Sequence, residues 1–394
     1  MAAPAHTTGD GLTADDCRLP DLLEVVDQRT DLGHYPHAAA VQHNILIYDG
    51  ARLRADCADA TRRRTIAAEL AGALMQGPGI VVFSGAFPDA AIVDRATAAF
   101  HEIIAEQHAR GGTSGDHFAK PGANDRIWNA VEKLALRDPD AFAGYYANDL
   151  VAMICAAWLG PHYQVTAQVN VVNPGGAAQT VHRDYHLGFQ SQDEAGRYPE
   201  HVHRLSPVLT LQGAVAHTDM PIETGPTQYL PYSQQYLPGY LAWRRPEFRE
   251  HFQANYVQLP LTKGDAVFFN PALFHAAGAN RTPDVRRMAN LLQVSSAFGR
   301  AMEIVDRHSM SVAVFGSLLA MQEAGADESA IANVISSCAE GYSFPTNLDR
   351  DQPVDGLAPA SQADILARAV TERWPETRLR DELGSWAARR SDVR

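Results

Sequence analysis

The chain has 394 residues, 46% hydrophobic and 20% charged, which is an ordinary globular balance with ample material for a core. Acidic residues outnumber basic ones by 46 to 33, giving a net charge of −13, and a field of that sign argues against nucleic acid as a partner. Cys17, Cys57, Cys155 and Cys338 lie far apart with no C-x-x-C pair, the N-terminus lacks a cationic start followed by an apolar run, and no apolar run approaches about 18 residues. A soluble, cytoplasmic protein with reduced thiols and no membrane partner is the expectation.

Residues 1–45 are rich in Ala, Thr and Asp with weak periodicity, which predicts an irregular N-terminal arm. Ile66, Leu70 and Leu74 recur every four residues and predict a helix over 62–76, opened by Arg62-Arg63-Arg64 as a solvated face. Gly77-Pro78-Gly79 ends it, and Ile80-Val81-Val82-Phe83 reads as a short buried strand. A second helix follows Pro88-Asp89, with Ile92, Val93, Ala96, Phe100, Ile103 and Ile104 on one face. Residues 163–299 change texture. Short β-rich runs (Gln164 to Val172, Val208 to His217, Ala266 to Phe269) alternate with Gly, Pro and Asn, which suggests an antiparallel sandwich or barrel. Helical patterning returns after 300, most clearly from Val312 to Glu323 and from Ser361 to Arg373. Such amphipathic stretches need a surface to cover, either the barrel or a second copy of the chain, so a homo-oligomer through these helices is one expectation. The organisation expected is a 1–45 arm, a 46–299 β-domain with a helical platform, and a 300–394 helical extension.

The chemistry concentrates in Val181-His182-Arg183-Asp184-Tyr185-His186. On a strand, residues two apart share a face, so His182 and Asp184 can meet one ion. An H-x-D tripeptide alone is weak evidence in a chain with 16 histidines. Its weight rises with Lys263-Gly264-Asp265-Ala266-Val267-Phe268-Phe269-Asn270, a turn feeding a strand that delivers His275, 91 residues after Asp184. Two His and one carboxylate with open positions form the facial triad of non-heme iron oxygenases. A loop from Ala276 then leads to Arg286, 11 residues beyond His275.

These features resemble the phytanoyl-CoA dioxygenase family, whose members carry an H-x-D, a distal His about 90 residues later and an Arg eleven beyond it. Glu223-Thr224-Gly225-Pro226-Thr227-Gln228-Tyr229-Leu230-Pro231-Tyr232-Ser233 is similar to the family's E-N-G-P-L-x-x-x-P-G-S-H, although Gln234 stands where its final His would be. The resemblance covers roughly residues 78–299. It implies an α+β fold, a double-stranded β-helix (a jelly-roll, cupin-like barrel) wrapped by N- and C-terminal helices. It further implies Fe(II) held by His182, Asp184 and His275, with 2-oxoglutarate and O2 as cosubstrates and Arg286 as the 2-oxoglutarate anchor. Strand alternation lets only one of Arg286 and Arg287 point inward, and the spacing favours Arg286. The reaction implied is hydroxylation, or another oxidation, of an unactivated C–H bond of a small-molecule metabolite, with succinate and CO2 as coproducts. Asp184 argues against a halogenase, which would need that carboxylate position vacated.

Further candidates carry less. Gln168 and Asn170 share a strand face leading toward the triad, where similar family positions help hold the cosubstrate. Tyr185 and His186 adjoin the ligands and are candidate substrate contacts. Lys120, Arg126, Trp128 and Asn129 belong to a polar-aromatic loop that could cover the site. His201-Val202-His203 is a second same-face pair, but no Glu follows and solvent exposure is expected. Two rivals remain open. A zinc hydrolase could use the same ligands but leaves the arginine without a purpose. A non-catalytic β-helix protein binding a small ligand would not need an intact triad.

Overall fold

The computed structural model describes residues 11–111, 122–353 and 356–390. Its strands are β1 (Ala40–Gln42), β2 (Ile45–Asp49), β3 (Ile80–Ser84), β4 (Asn124–Ile127), β5 (Gln164–Val172), β6 (Thr210–Ala216), β7 (Gln228–Leu230), β8 (Ala266–Phe269), β9 (Phe274–Ala276) and β10 (Arg287–Ser295). Eight of them form one sheet in the order β1-β2-β3-β8-β6-β10-β5-β4, antiparallel except for β2 with β3. β7 and β9 pair separately, and this small sheet is widened by one-residue bridges at His182 to His275 and at Val257 to Tyr229. The fold is α+β, a double-stranded β-helix whose long sheet is wrapped by helices.

Strand alternation explains how two layers form on one sheet. Val81 and Phe83 of β3, Phe268 of β8, and Val165, Ala167, Val169 and Val171 of β5 belong to the main apolar core, packed under helices. Their neighbours Ile80, Val82, Val267 and Phe269 face the other way, into a smaller cluster shared with Tyr229, Leu259 and Leu273 from the small sheet's side. The inner side also carries polar residues at the same parity: Gln168 and Asn170 on β5, Gln212 on β6, Gln293 and Arg287 on β10. That polar set is where the site lies.

The helical expectations correspond closely to the helices Ala60–Met75, Ala90–Ala109, Arg307–Glu323 and Gln362–Thr371. Residues 11–45, expected as irregular, differ: they contain the helix Leu19–Val26 and the strand β1. Leu12, Cys17 and Leu22 are buried there against Val181, Tyr236, Phe248 and Phe274, so tertiary contact supplies what weak periodicity did not. The helices beyond residue 300 add Phe315, Leu318, Val334, Leu366 and Leu383 to the same main core as the sheet, so this segment buttresses the long sheet's outer layer. No single helix among the described residues is long and apolar enough to cross a membrane.

Candidate metal centre and its cavity

Three ligand atoms, one each from His182, Asp184 and His275, all lie within 4.8 Å of one another. His182 Nε2 is 3.5 Å from Asp184 Oδ1, and His275 Nε2 is 3.5 Å from Asp184 Oδ2. The two imidazoles are aimed by the same device. His182 Nδ1 meets the Thr180 carbonyl at 2.8 Å, and His275 Nδ1 meets the Leu273 carbonyl at 2.9 Å. Occupying Nδ1 this way fixes the ring and turns Nε2 toward the shared point.

Backbone pairing brings the distant halves together. His182 is not on a regular strand as expected. It makes a single bridge, its N–H donating to the His275 carbonyl at 2.9 Å and its carbonyl accepting from the His275 N–H at 3.1 Å. Directly afterwards the chain turns through two non-glycine residues at positive φ, Tyr185 (66°) and His186 (39°). Between the ligands, Arg183 points away from the metal position and is buried. It donates to the Tyr236 carbonyl at 2.8 Å and to the Ser233 carbonyl. A Cβ on Gly239 would come 1.9 Å from its guanidinium carbon, so a larger residue there would displace the Arg183 side chain. The family-like segment around Glu223 builds β7, which pairs with the strand carrying His275. Ser233 Oγ accepts from the Phe274 N–H at 2.8 Å.

Asp184 is pulled both ways. Burial raises its carboxyl, but the charges of His182 and His275 and hydrogen bonds from His275 and Gln212 bring it well below the ordinary carboxylate range. Gln212 on β6 donates to Asp184 Oδ2 and was not anticipated from sequence.

These groups open onto a cavity of about 880 Å³, within the range of small-molecule sites. His182, Asp184, His275, Gln168, Asn170 and Trp128 line it, as do Gln212, Gln293 and Arg287. The arginine expectation is corrected. Arg286 precedes β10, its side chain is 51% exposed, and it pairs with Asp125 at 2.7 Å and Asn173 at 3.0 Å, outside the cavity. Arg287 occupies the inward parity and is 7% exposed, and its Nη1 has no hydrogen-bond partner among the described residues. Burial pushes its guanidinium down to about 10, so it is still charged near neutrality.

Three other candidates do not line the cavity. Tyr185 is buried beside Asp184, and His186 Nε2 meets Thr210 Oγ1 at 3.3 Å. Asn129 serves the start of the helix Ala130–Arg137, donating from its backbone to Glu303 at 2.7 Å and from its side chain to Glu132 at 2.8 Å. Lys120 lies outside the described residues. The expected 118–129 loop forms β4 in part, and there Arg126 donates to Gln168 and sits 4.5 Å from the Trp128 ring centre. Of the second histidine pair, His201 is exposed, but His203 is buried on a short helix and bonds the Ala195 carbonyl.

A family model for phytanoyl-CoA dioxygenase matches residues 75–288. The chain belongs to this family. It is similar to "Dioxygenase trt7" of Aspergillus terreus (strain NIH 2624 / FGSC A1156), with 29% identity over 128 residues covering 32% of this chain. The match spans 39% of that relative's own length. Among solved structures it is similar to the non-heme alpha ketoglutarate dependent epimerase SnoN from nogalamycin biosynthesis (22% identity, 61% of this chain and 82% of that one, TM-score 0.42). The carbocyclase SnoK from the same biosynthesis gives 20% identity, 58% and 83% coverage and a TM-score of 0.42. Family membership, the clustered His-Asp-His ligands and a buried cation in the same cavity together support iron(II) and 2-oxoglutarate as the cofactor set.

Proposed function

We propose that the chain is an Fe(II)- and 2-oxoglutarate-dependent oxygenase that oxidises an unactivated C–H bond of a small-molecule metabolite. One observation carries the reading: the two-His, one-carboxylate cluster shares its cavity with Arg287, an inward guanidinium with a buried nitrogen that has no hydrogen-bond partner among the described residues. A buried cation left in this state is costly, and the far carboxylate of 2-oxoglutarate would satisfy it through a planar, charge-assisted fork. A zinc hydrolase using the same ligands would have no such need.

His182, Asp184 and His275 would hold the metal from one side, leaving positions for cosubstrate and dioxygen. With both bound, the iron centre supplies oxidative decarboxylation to succinate and CO2 coupled to oxidation of the substrate. The protein's own contribution is placement. Gln212 fixes the Asp184 carboxylate, the Thr180 and Leu273 carbonyls set the two rings, and Arg287 sets the cosubstrate's register. Gln168 and Asn170 offer polar contacts on the same wall.

Succinate release by the iron-loaded protein is the test. Formation that requires both added iron(II) and 2-oxoglutarate, and that is absent with zinc, is expected. Hydrolytic turnover with zinc and no 2-oxoglutarate consumption would end the proposal.

A further inference from the structure

Charge in the cavity does not balance with the cosubstrate alone. Arg126, Arg183, Arg244, Arg249 and Arg287 line it, and Asp184 is the one carboxylate among its described lining residues. This occurs in a chain whose net charge is −13. Three of the arginines are accounted for. Arg183 is spent on the Ser233 and Tyr236 carbonyls. Arg126 donates to Gln168 and feels the charge of Glu303. Arg287 belongs to 2-oxoglutarate on the reading above.

Arg244 and Arg249 remain, and both line this cavity. Arg244 follows the short helix Gly239–Ala242, and Arg249 lies on the helix Pro246–Asn255. Arg244 Nη2 donates to the Gln190 carbonyl at 2.7 Å and the Gly188 carbonyl at 3.4 Å, whereas its Nη1 is buried with no hydrogen-bond partner among the described residues. Burial, and after it the neighbouring Arg249 charge, lowers the Arg244 guanidinium. Two like charges on one wall repel unless an anion joins them.

The wall beside them is aromatic. The Arg244 guanidinium carbon lies 3.8 Å from the Trp243 ring centre, a cation–π contact with the indole. Trp243 Nε1 is itself buried with no hydrogen-bond partner among the described residues. Phe189, next to the Gly188 carbonyl that Arg244 holds, lines the same cavity and is 51% exposed. A large exposed ring beside two cations with no ion pair among the described residues is a surface for a molecule with an apolar body and a charged end.

We propose that the substrate is an amphipathic oxyanion, a small molecule whose carboxylate or phosphate is held by Arg244 and Arg249 while its apolar body lies along Trp243 and Phe189. This inference deepens the oxygenase reading and rests on it for the word substrate. The anion site itself rests on the arginines. Sequence alone showed only Arg62-Arg63-Arg64 as a tight basic run, and the fold makes this second cluster by placing Arg244 and Arg249 on a common wall.

The test is equilibrium binding to the anaerobic, iron-loaded protein with 2-oxoglutarate present. The probes are 8-anilinonaphthalene-1-sulfonate and its uncharged counterpart N-phenyl-1-naphthylamine, both read by fluorescence. The sulfonate should bind at least about tenfold more tightly than the neutral probe, the scale of one charge-assisted hydrogen bond. Arg249→Gln, an exposed position that leaves folding intact, should remove most of that preference, and Arg249→Lys should retain part of it. Arg244→Gln should act in the same direction. Decanoate and decyl phosphate should displace the sulfonate and decanol should not, and the stronger of the two acids identifies the oxyanion. Equal affinity for both probes, or a preference untouched in Arg249→Gln, overturns the proposal. The visible band of the 2-oxoglutarate complex is read in the same samples. If wild type lacks that band but keeps the sulfonate preference, the oxygenase reading falls and the anion site stands.

Discussion

The two faces of the long sheet are built from the same strands and obey opposite rules. Toward the helices, Val81, Phe83, Val169, Phe268, Leu292 and Val294 are buried in a continuous apolar core. Toward the small sheet, the same strands present Gln168, Asn170, Gln212, Gln293 and Arg287 among fewer apolar side chains. Several of these polar groups are incompletely satisfied: Gln212 Oε1, Gln293 Oε1 and Arg287 Nη1 have no hydrogen-bond partner among the described residues. The outer face is stabilised by packing, and the inner face carries polar groups whose partners are expected to arrive with ligands. Stability and function are therefore separable by parity along a single strand.

Variants can break that separation. His275→Ala should weaken iron binding by at least about a hundredfold, beyond what loss of an outer-sphere contact does, while thermal unfolding of the metal-free protein stays close to wild type. Metal titration and calorimetry check both halves. On the outer face, Phe268→Ala should cost roughly 3–5 kcal/mol of stability by leaving a cavity under the helices. Denaturant unfolding would measure that loss, and iron binding by the folded fraction should be unchanged. Gln212→Leu should lower iron affinity by roughly ten- to hundredfold through the Asp184 carboxylate it holds, with retained secondary structure by circular dichroism. The smallest effect belongs to Gln293→Leu. Replacing a buried amide whose oxygen is unsatisfied should leave stability within about 1 kcal/mol of wild type or above it, as read from the unfolding midpoint.

Legibility in the sequence follows the same division. β5 and β8 could be delimited because β-rich runs end at Asn or Gly punctuation, and the long helices because their apolar spacing is regular. β4 was missed because Asn124-Asp125-Arg126-Ile127 is polar and acquires its order by pairing at the sheet edge with β5. β7 and β9 are three residues each, too short to show a period. His182, Asp184 and His275 were readable because ligand chemistry restricts residue type and spacing. The arginine was not. In β10, Met288, Leu292 and Val294 face one way and Ala289 and Leu291 the other, so apolar residues occupy both parities and the alternation is silent about which arginine points inward. Spacing favoured Arg286, and the strand begins one residue later. Arg244 and Arg249 gave no signal because their meeting depends on how two short helices pack.

The central claim is that Arg287, and not its neighbour, holds the far carboxylate of 2-oxoglutarate beside the His182, Asp184 and His275 cluster. Anaerobic titration of the iron(II) protein with 2-oxoglutarate, followed through the visible band of the complex, measures it directly. Removing one member of a desolvated charged pair costs roughly 2–5 kcal/mol, so Arg287→Ala should weaken 2-oxoglutarate binding by about thirtyfold or more with iron content unchanged. Arg287→Lys should recover only part of the loss, since a point charge does not reproduce the planar fork. Arg286→Ala should bind 2-oxoglutarate as wild type does, because the Arg286 side chain pairs with Asp125 and Asn173 outside the cavity. Wild-type affinity in Arg287→Ala, or a large loss in Arg286→Ala, would contradict the account.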